Sequence, residues 1–254
     1  QLAVVGLFFI LAVSILLSSK KSEQNKVWVG LSRETAHQLG TPISSLMAWT
    51  EVLQELYPED DTIEYLKQDV ERLQLIADRF SKIGSAPKLA PTNVSDAISS
   101  AIKYMAKRTS GKAKISYHPP QETMTANLCP PLFAWVIENL CKNAVDAMSG
   151  VGSINITAWS FEKHIEIDVT DTGKGIPASR FKSVFRPGYT TKQRGWGLGL
   201  SLAKRIIEQY HKGKIFVKQS EINVGTTFTI ILPKHHQSLP PSRRLNSDDI
   251  FATK

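Results

Sequence analysis

The stretch DTGKGIP, Asp171 to Pro177, follows directly on the alternating run HIEIDVT, His164 to Thr170, and the reading of this junction decides the fold. Strict alternation predicts a half-buried β-strand. Gly173 and Gly175 let the chain turn and approach a ligand closely, and an acidic residue at a strand end is placed to accept a hydrogen bond from an exocyclic amine. By itself such a run also reads as an ordinary turn. Working outward, SINITAW pairs with HIEIDVT as a hairpin, and KIFVKQ and TTFTIIL form a second one around SEINVG. KISYH and ETMTA read as short strands. Val94 to Lys107, Pro131 to Met148, with a proline in its first turn, and Leu198 to Tyr210 read as helices. Helices grouped with mostly antiparallel strands predict an α+β two-layer sandwich over residues 92–233.

Three further runs give that sandwich a ligand. RGWGLGLSLAKRI sets Gly195, Gly197 and Gly199 before and at the opening of a helix, where backbone N–H groups and the helix dipole face phosphate oxygens. ENLCKNAVDAM puts Asn139 and Asn143 at i and i+4 on one helix face beside Glu138, a set of oxygens suited to magnesium. The same asparagines also fit a plain polar patch. VGTTF offers Gly225 and Thr226 at a hairpin turn.

In this order the asparagine pair, DTGKGIP, FRPGYTTK, GWGLGL and VGTTF resemble the N, G1, F, G2 and G3 boxes of the Bergerat-fold ATPases, shared by sensor histidine kinases, gyrase-type topoisomerases and certain chaperones. The resemblance implies ATP and Mg²⁺ as cofactors. It assigns Asp171 to the adenine amino group, Gly173 and Gly175 to the wall beside it, and Asn143 to the magnesium, with Asn139 and Glu138 in support. Gly195, Gly197 and Gly199 fall to the phosphates, with Lys192 reaching them from a segment around Arg186 to Trp196. Lys142, Ile176, Leu198 and Thr226 complete the nucleotide set, and Phe185 is the F-box aromatic.

Upstream the texture is different. Val29, Ala36, Leu39, Ile43, Leu46, Leu53 and Tyr57 form an apolar stripe at spacings of three and four, interrupted by polar Ser32 and Thr50. After YPEDDT, Asp61 with Glu64 reads as a capping-box start for a second helix, striped by Ile63, Leu66, Val70, Leu73, Ala77 and Phe80. One such hairpin buries two stripes poorly, so residues 20–86 predict a homodimer built on a four-helix bundle. The proline-bearing segment GSAPKLAPTN, residues 84–93, reads as the domain boundary. His37 lies beside the stripe residue Ala36 and so projects from the bundle flank, and Pro42 removes the N–H that the Gln38 carbonyl needs.

HQLGTP, residues 37–42, resembles the H-box of sensor histidine kinases. The resemblance implies that His37 accepts the γ-phosphoryl group and that a separate response regulator receiver domain takes it onward. Gln38 stands where that family usually has an acidic residue credited as general base; its amide oxygen can fix a tautomer but cannot take a proton. Thr41 stands where the family orients water for dephosphorylation of the partner. Two rival readings share these residues: a kinase-silent scaffold or phosphatase of the same fold, and an ATPase that drives conformational change.

From Leu2 to Leu17 the chain is uncharged, and Lys20, Lys21 and Lys26 follow. That pattern predicts a transmembrane helix over residues 1–19 in the cell membrane, with the region after Lys20 cytoplasmic. The net charge of +8 is scattered rather than gathered with aromatics into a stripe, which argues against nucleic acid. Cys129 and Cys141 have no metal-ligand spacing and read as reduced core residues. Residues 234–254 are polar and proline-bearing and read as a flexible tail.

Overall fold

The computed structural model describes residues 30, 33–85, 87–106, 112–192 and 197–235. The expected membrane helix, residues 1–19, and Gly195 lie outside them. Among the described residues no helix is long and apolar enough to cross a membrane.

Helix α1, residues 33–56, runs through Pro42 and is followed by α2, Asp61–Gly84. Asp60 rather than the expected Asp61 caps α2: its carboxylate accepts from the Thr62 N–H at 2.9 Å, which satisfies one of the unpaired donors of the first turn. Ile43, Val70 and Ala77 pack together with Met47 on the inner face. Thr50, expected to interrupt the stripe, is buried in it, and its hydroxyl donates to the Met47 carbonyl at 2.7 Å. Ile63 is buried as well and Leu53 and Phe80 are half-buried, but much of the hairpin's apolar surface is not covered. Leu39, Leu46, Trp49, Leu56, Leu66 and Leu73 are all exposed.

The second unit is built around a five-stranded sheet, with a separate two-stranded one beside it. Strand β1, Ala90–Asn93, pairs antiparallel with β3, Thr125–Leu128, and so places a short strand within the proline-bearing segment read as the domain boundary. Two-stranded pairing tolerates Pro91 because only one edge of β1 is engaged. Helix α3, Val94–Ala106, β2, Ala113–Tyr117, and α4, Pro130–Ala147, follow; then β4, Gly152–Ser160, β5, His164–Asp171, α5, Gly199–Arg205, β6, Lys214–Glu221, and β7, Gly225–Pro233. The sheet runs β2-β4-β5-β7-β6, with only β2 and β4 parallel. Alternate residues of β4, β5 and β7 (Ile154, Ile156, Ile165, Ile167, Ile230, Leu232) are buried, together with the 3.6-period face of α4 (Leu132, Phe133, Val136, Ile137, Leu140). One apolar layer between sheet and helices results.

The predicted helix over 198–210 changes hand-hold midway: α5 passes into a π-turn, Ile206–Tyr210, ended by His211. The His211 ring is buried. Its Nε2 accepts from the Cys129 N–H at 3.0 Å, which leaves Nδ1 carrying the proton that it gives to the Ile206 carbonyl at 3.1 Å. Burial brings its pKa down to about 4. Cys129 and Cys141 are buried free thiols, and burial pushes Cys141 up to about 12. Lys234 and His235, expected to open the tail, are tied down instead: their N–H groups donate to Lys163 and Thr125 carbonyls at 3.0 and 2.8 Å.

Candidate active site

The end of β5 delivers Asp171 into a cavity of about 1110 Å³ between α4, α5 and the segments leaving β5 and entering β7. Its Oδ1 accepts from the Gly173 N–H at 2.8 Å. Burial raises the carboxyl above its ordinary range, and the Gly173 and Thr226 N–H groups partly offset that. Two glycines are required here on steric grounds. Gly175 has φ +74°, and a Cβ on it would lie 2.1 Å from the Glu221 carbonyl oxygen; a Cβ on Gly225 would lie 1.9 Å from that of Asp171. The turn VGTTF is therefore part of the wall behind Asp171. Ser220 closes it, accepting from the Ile176 N–H at 2.7 Å and sharing a hydrogen bond with Thr226 at 2.9 Å.

Opposite lies the α4 face carrying Asn139, Lys142, Asn143 and Asp146, with Gly197, Leu198 and Gly199 entering from the start of α5. The Asn139 amide nitrogen is buried without a protein partner, a donor set for a ligand. Asn143 Oδ1 accepts from the Lys192 ammonium at 3.2 Å, and the same ammonium pairs with Asp146. A buried carboxylate for an amino group, a large cavity, amide oxygens and cations for phosphate fit ATP, and Asn143 fits its magnesium. Asp171, Gly175, Ile176, Asn139, Lys142, Asn143, Lys192, Gly197, Leu198, Gly199 and Thr226 all line this one cavity.

Two expectations come out differently. Glu138 is no free metal ligand: both its carboxylate oxygens are held by Arg79 of α2, at 2.6 and 2.8 Å, with side chains only 7% and 12% exposed. Gly173 packs against Ala147 beneath the cavity instead of forming its lining. Phe185 is buried and edge-on to Phe228 at 6.1 Å, a packing role compatible with its place in the F box. Asp146, Lys174 and Arg180, which line the cavity, and Arg79, which holds Glu138, carried no reading in the sequence. Asp146 was findable, being i+3 from Asn143 on the same face. Arg79 was not, since it lies 59 residues from its partner.

His37, Gln38 and Thr41 are exposed on α1. His37 and Thr41 line a separate groove of about 660 Å³ between α1 and α2, with Glu34, Gln74 and Asp78. The Gln38 amide donates to Glu34 at 2.7 Å. The hairpin nevertheless touches the nucleotide cavity, since Thr35 and Phe80 line it. Thr35 and His37 are about 200° apart around a helix, so His37 points away from the cavity that Thr35 faces.

Residues 130–236 match the family described as histidine kinase-, DNA gyrase B- and HSP90-like ATPase. The chain is 28% identical over 227 residues to sensor histidine kinase ZraS of Escherichia coli (strain K12), covering 86% of this chain and 48% of that one. It spans about half the length of the curated relatives it matches. The solved catalytic domain of histidine kinase ThkA superposes with a TM-score of 0.53 at 27% identity, covering 57% of this chain and 95% of that one. ThkA in complex with the response regulator protein TrrA shares the fold over 86% of this chain and 66% of that one, with a TM-score of 0.55 at 19% identity. Residues 130–236 thus match an ATPase domain of that family, and the chain is similar over most of its length to sensor histidine kinases.

Proposed function

We propose that this chain is the transmitter part of a membrane-bound, dimeric histidine kinase that transfers the γ-phosphoryl group of ATP to His37. An imidazole nitrogen attacks the γ-phosphorus, the bond to the β,γ-bridging oxygen breaks, ADP leaves, and the ring proton passes to solvent. Magnesium, held by Asn143 with Asn139 nearby, would neutralise phosphate charge. Asp171 orients the adenine, and Lys142, Lys174 and Lys192 supply positive charge around the phosphates. The observation that carries the reading is that one cavity holds the adenine carboxylate and the asparagine face while α1, the helix bearing His37, forms part of its wall. Because His37 faces the other way, transfer requires the two units to part from this arrangement, or a nucleotide from a second copy.

The exposed leucines of α1 and α2 support dimerisation, and the uncharged run at Leu2 to Leu17 supports a membrane anchor. The groove beside His37 and Thr41 is suited to a response regulator receiver domain, the partner of ThkA in its complex. Dephosphorylation of that partner, through Thr41, belongs to the same reading.

Incubation with γ-labelled ATP tests it. Acid-labile, alkali-stable label on the protein, lost in His37→Ala and Asn143→Ala, is the expected result. Phosphate release without label would instead support an ATPase, and neither would support a silent scaffold.

A further inference from the structure

The Lys192 side chain stands on the α4 face that the nucleotide reading assigns to magnesium. Its ammonium donates to Asn143 Oδ1 at 3.2 Å and pairs with Asp146, which lies one turn further along α4. The backbone before it is fixed by the Lys192 N–H, which donates to Thr190 Oγ1 at 3.1 Å. Among the described residues the cavity walls carry two carboxylates, Asp146 and Asp171. Asp171 is engaged with Gly173 at the other end, so Asp146 is the charge that a cation on Asn143 meets.

We propose that Lys192 and the nucleotide's magnesium compete for one oxygen set, Asn143 and Asp146. The inference rests on the ATP reading and deepens it. Two cations on a single amide oxygen would sit within about 4–5 Å of each other and repel, so one excludes the other. With magnesium on Asn143, Asp146 would serve as its outer carboxylate, as suits an ion that keeps part of its hydration shell. Lys192 is then released toward the phosphates. The exchange is cheap: the Lys192 and Asp146 side chains are 41% and 40% exposed, and ion pairs so exposed hold only weakly. Asp146 thereby has a role that Glu138, tied to Arg79, does not fill.

Calorimetric titration of the full chain with ADP over a series of magnesium concentrations tests this without any turnover. Lys192→Met is expected to lower the magnesium concentration giving half-maximal ADP affinity by about two- to fivefold, the range set by an exposed ion pair. Lys192→Arg, which keeps the charge, is expected to preserve the original half-point. Asp146→Asn placed on the Lys192→Met background is expected to raise the half-point again, because the carboxylate then acts on the metal alone. A half-point unmoved by Lys192→Met, or moved equally by Lys192→Arg, overturns the competition while leaving nucleotide binding intact. Absence of ADP binding by the unaltered chain overturns the nucleotide reading and the competition with it.

Discussion

The hairpin and the ATPase domain bury their apolar residues to very different degrees. In the ATPase domain, sheet and helices each find an apolar partner, and Phe133, Ile154, Ile167 and Ile230 are wholly sealed. In the hairpin three residues, Ile43, Val70 and Ala77, make a core, while Trp49 remains 62% exposed and Leu56 64%. Two helices can shield only one stripe each, whereas a sheet shields a whole layer. The ATPase domain therefore covers its apolar faces by itself, and the hairpin leaves much of its own uncovered. Where the two meet they are joined by few but specific contacts. Arg79 holds Glu138 and lies 5.5 Å from the Trp135 ring centre, Phe80 is edge-on to Trp135 at 5.8 Å, and the Tyr210 hydroxyl donates to the Ile83 carbonyl at 2.8 Å.

The largest effect is expected at that joint. Arg79→Ala leaves the Glu138 carboxylate sheltered with no partner and should cost about 3–5 kcal/mol of docking. Limited proteolysis of the segment between α2 and β1 should accelerate, and Glu138→Gln on the same background should restore part of the protection. Equal cleavage in all three proteins would mean that the pair does not hold the units together.

Acid should then separate the two units by stability. The His211 pKa is lowered from an ordinary 6.5 to about 4 in the folded chain. Its neutral form thus favours folding fully above pH 6.5, and that contribution is lost as the pH falls toward 4, because the unfolded chain binds the proton first. The loss amounts to about 3 kcal/mol. A protonated ring also cannot accept from Cys129. Thermal unfolding of the ATPase domain followed from pH 7 to pH 4 should show this decline, and His211→Phe should flatten it; an unchanged slope in that variant would assign the acid sensitivity elsewhere.

The smallest effect is expected on the hairpin's open face. Leu46→Ser should change the unfolding of a single copy little but weaken self-association by about 1–2 kcal/mol per side chain, the value of burying a leucine in part. Sedimentation equilibrium measures it. Association unaffected by both Leu46→Ser and Leu73→Ser would mean that this face is not what a second copy covers.

Much of this was legible in the chain. Period-two alternation located β4, β5, β6 and β7, and the glycine runs located the cavity, because such local patterns follow from backbone geometry alone. β1 was missed since two prolines and a short length hid a strand whose partner among the described residues, β3, lies about 35 residues on. The capping residue slipped from Asp60 to Asp61 for want of any sequence feature separating two adjacent aspartates.

The sequence by itself determined the order of units, the histidine on a helix flank, the acidic strand end and the paired asparagines. All of these depend on neighbours within a turn or two. Only the tertiary structure decided that Glu138 serves Arg79, that Lys192 occupies Asn143 and Asp146, and that His37 looks away from the cavity its own helix helps to wall. These partners lie 46 to 59 residues apart in the chain where they pair. Which charged group meets which is set by the packing of α2 and the β5–α5 segment against α4, and no local pattern encodes that.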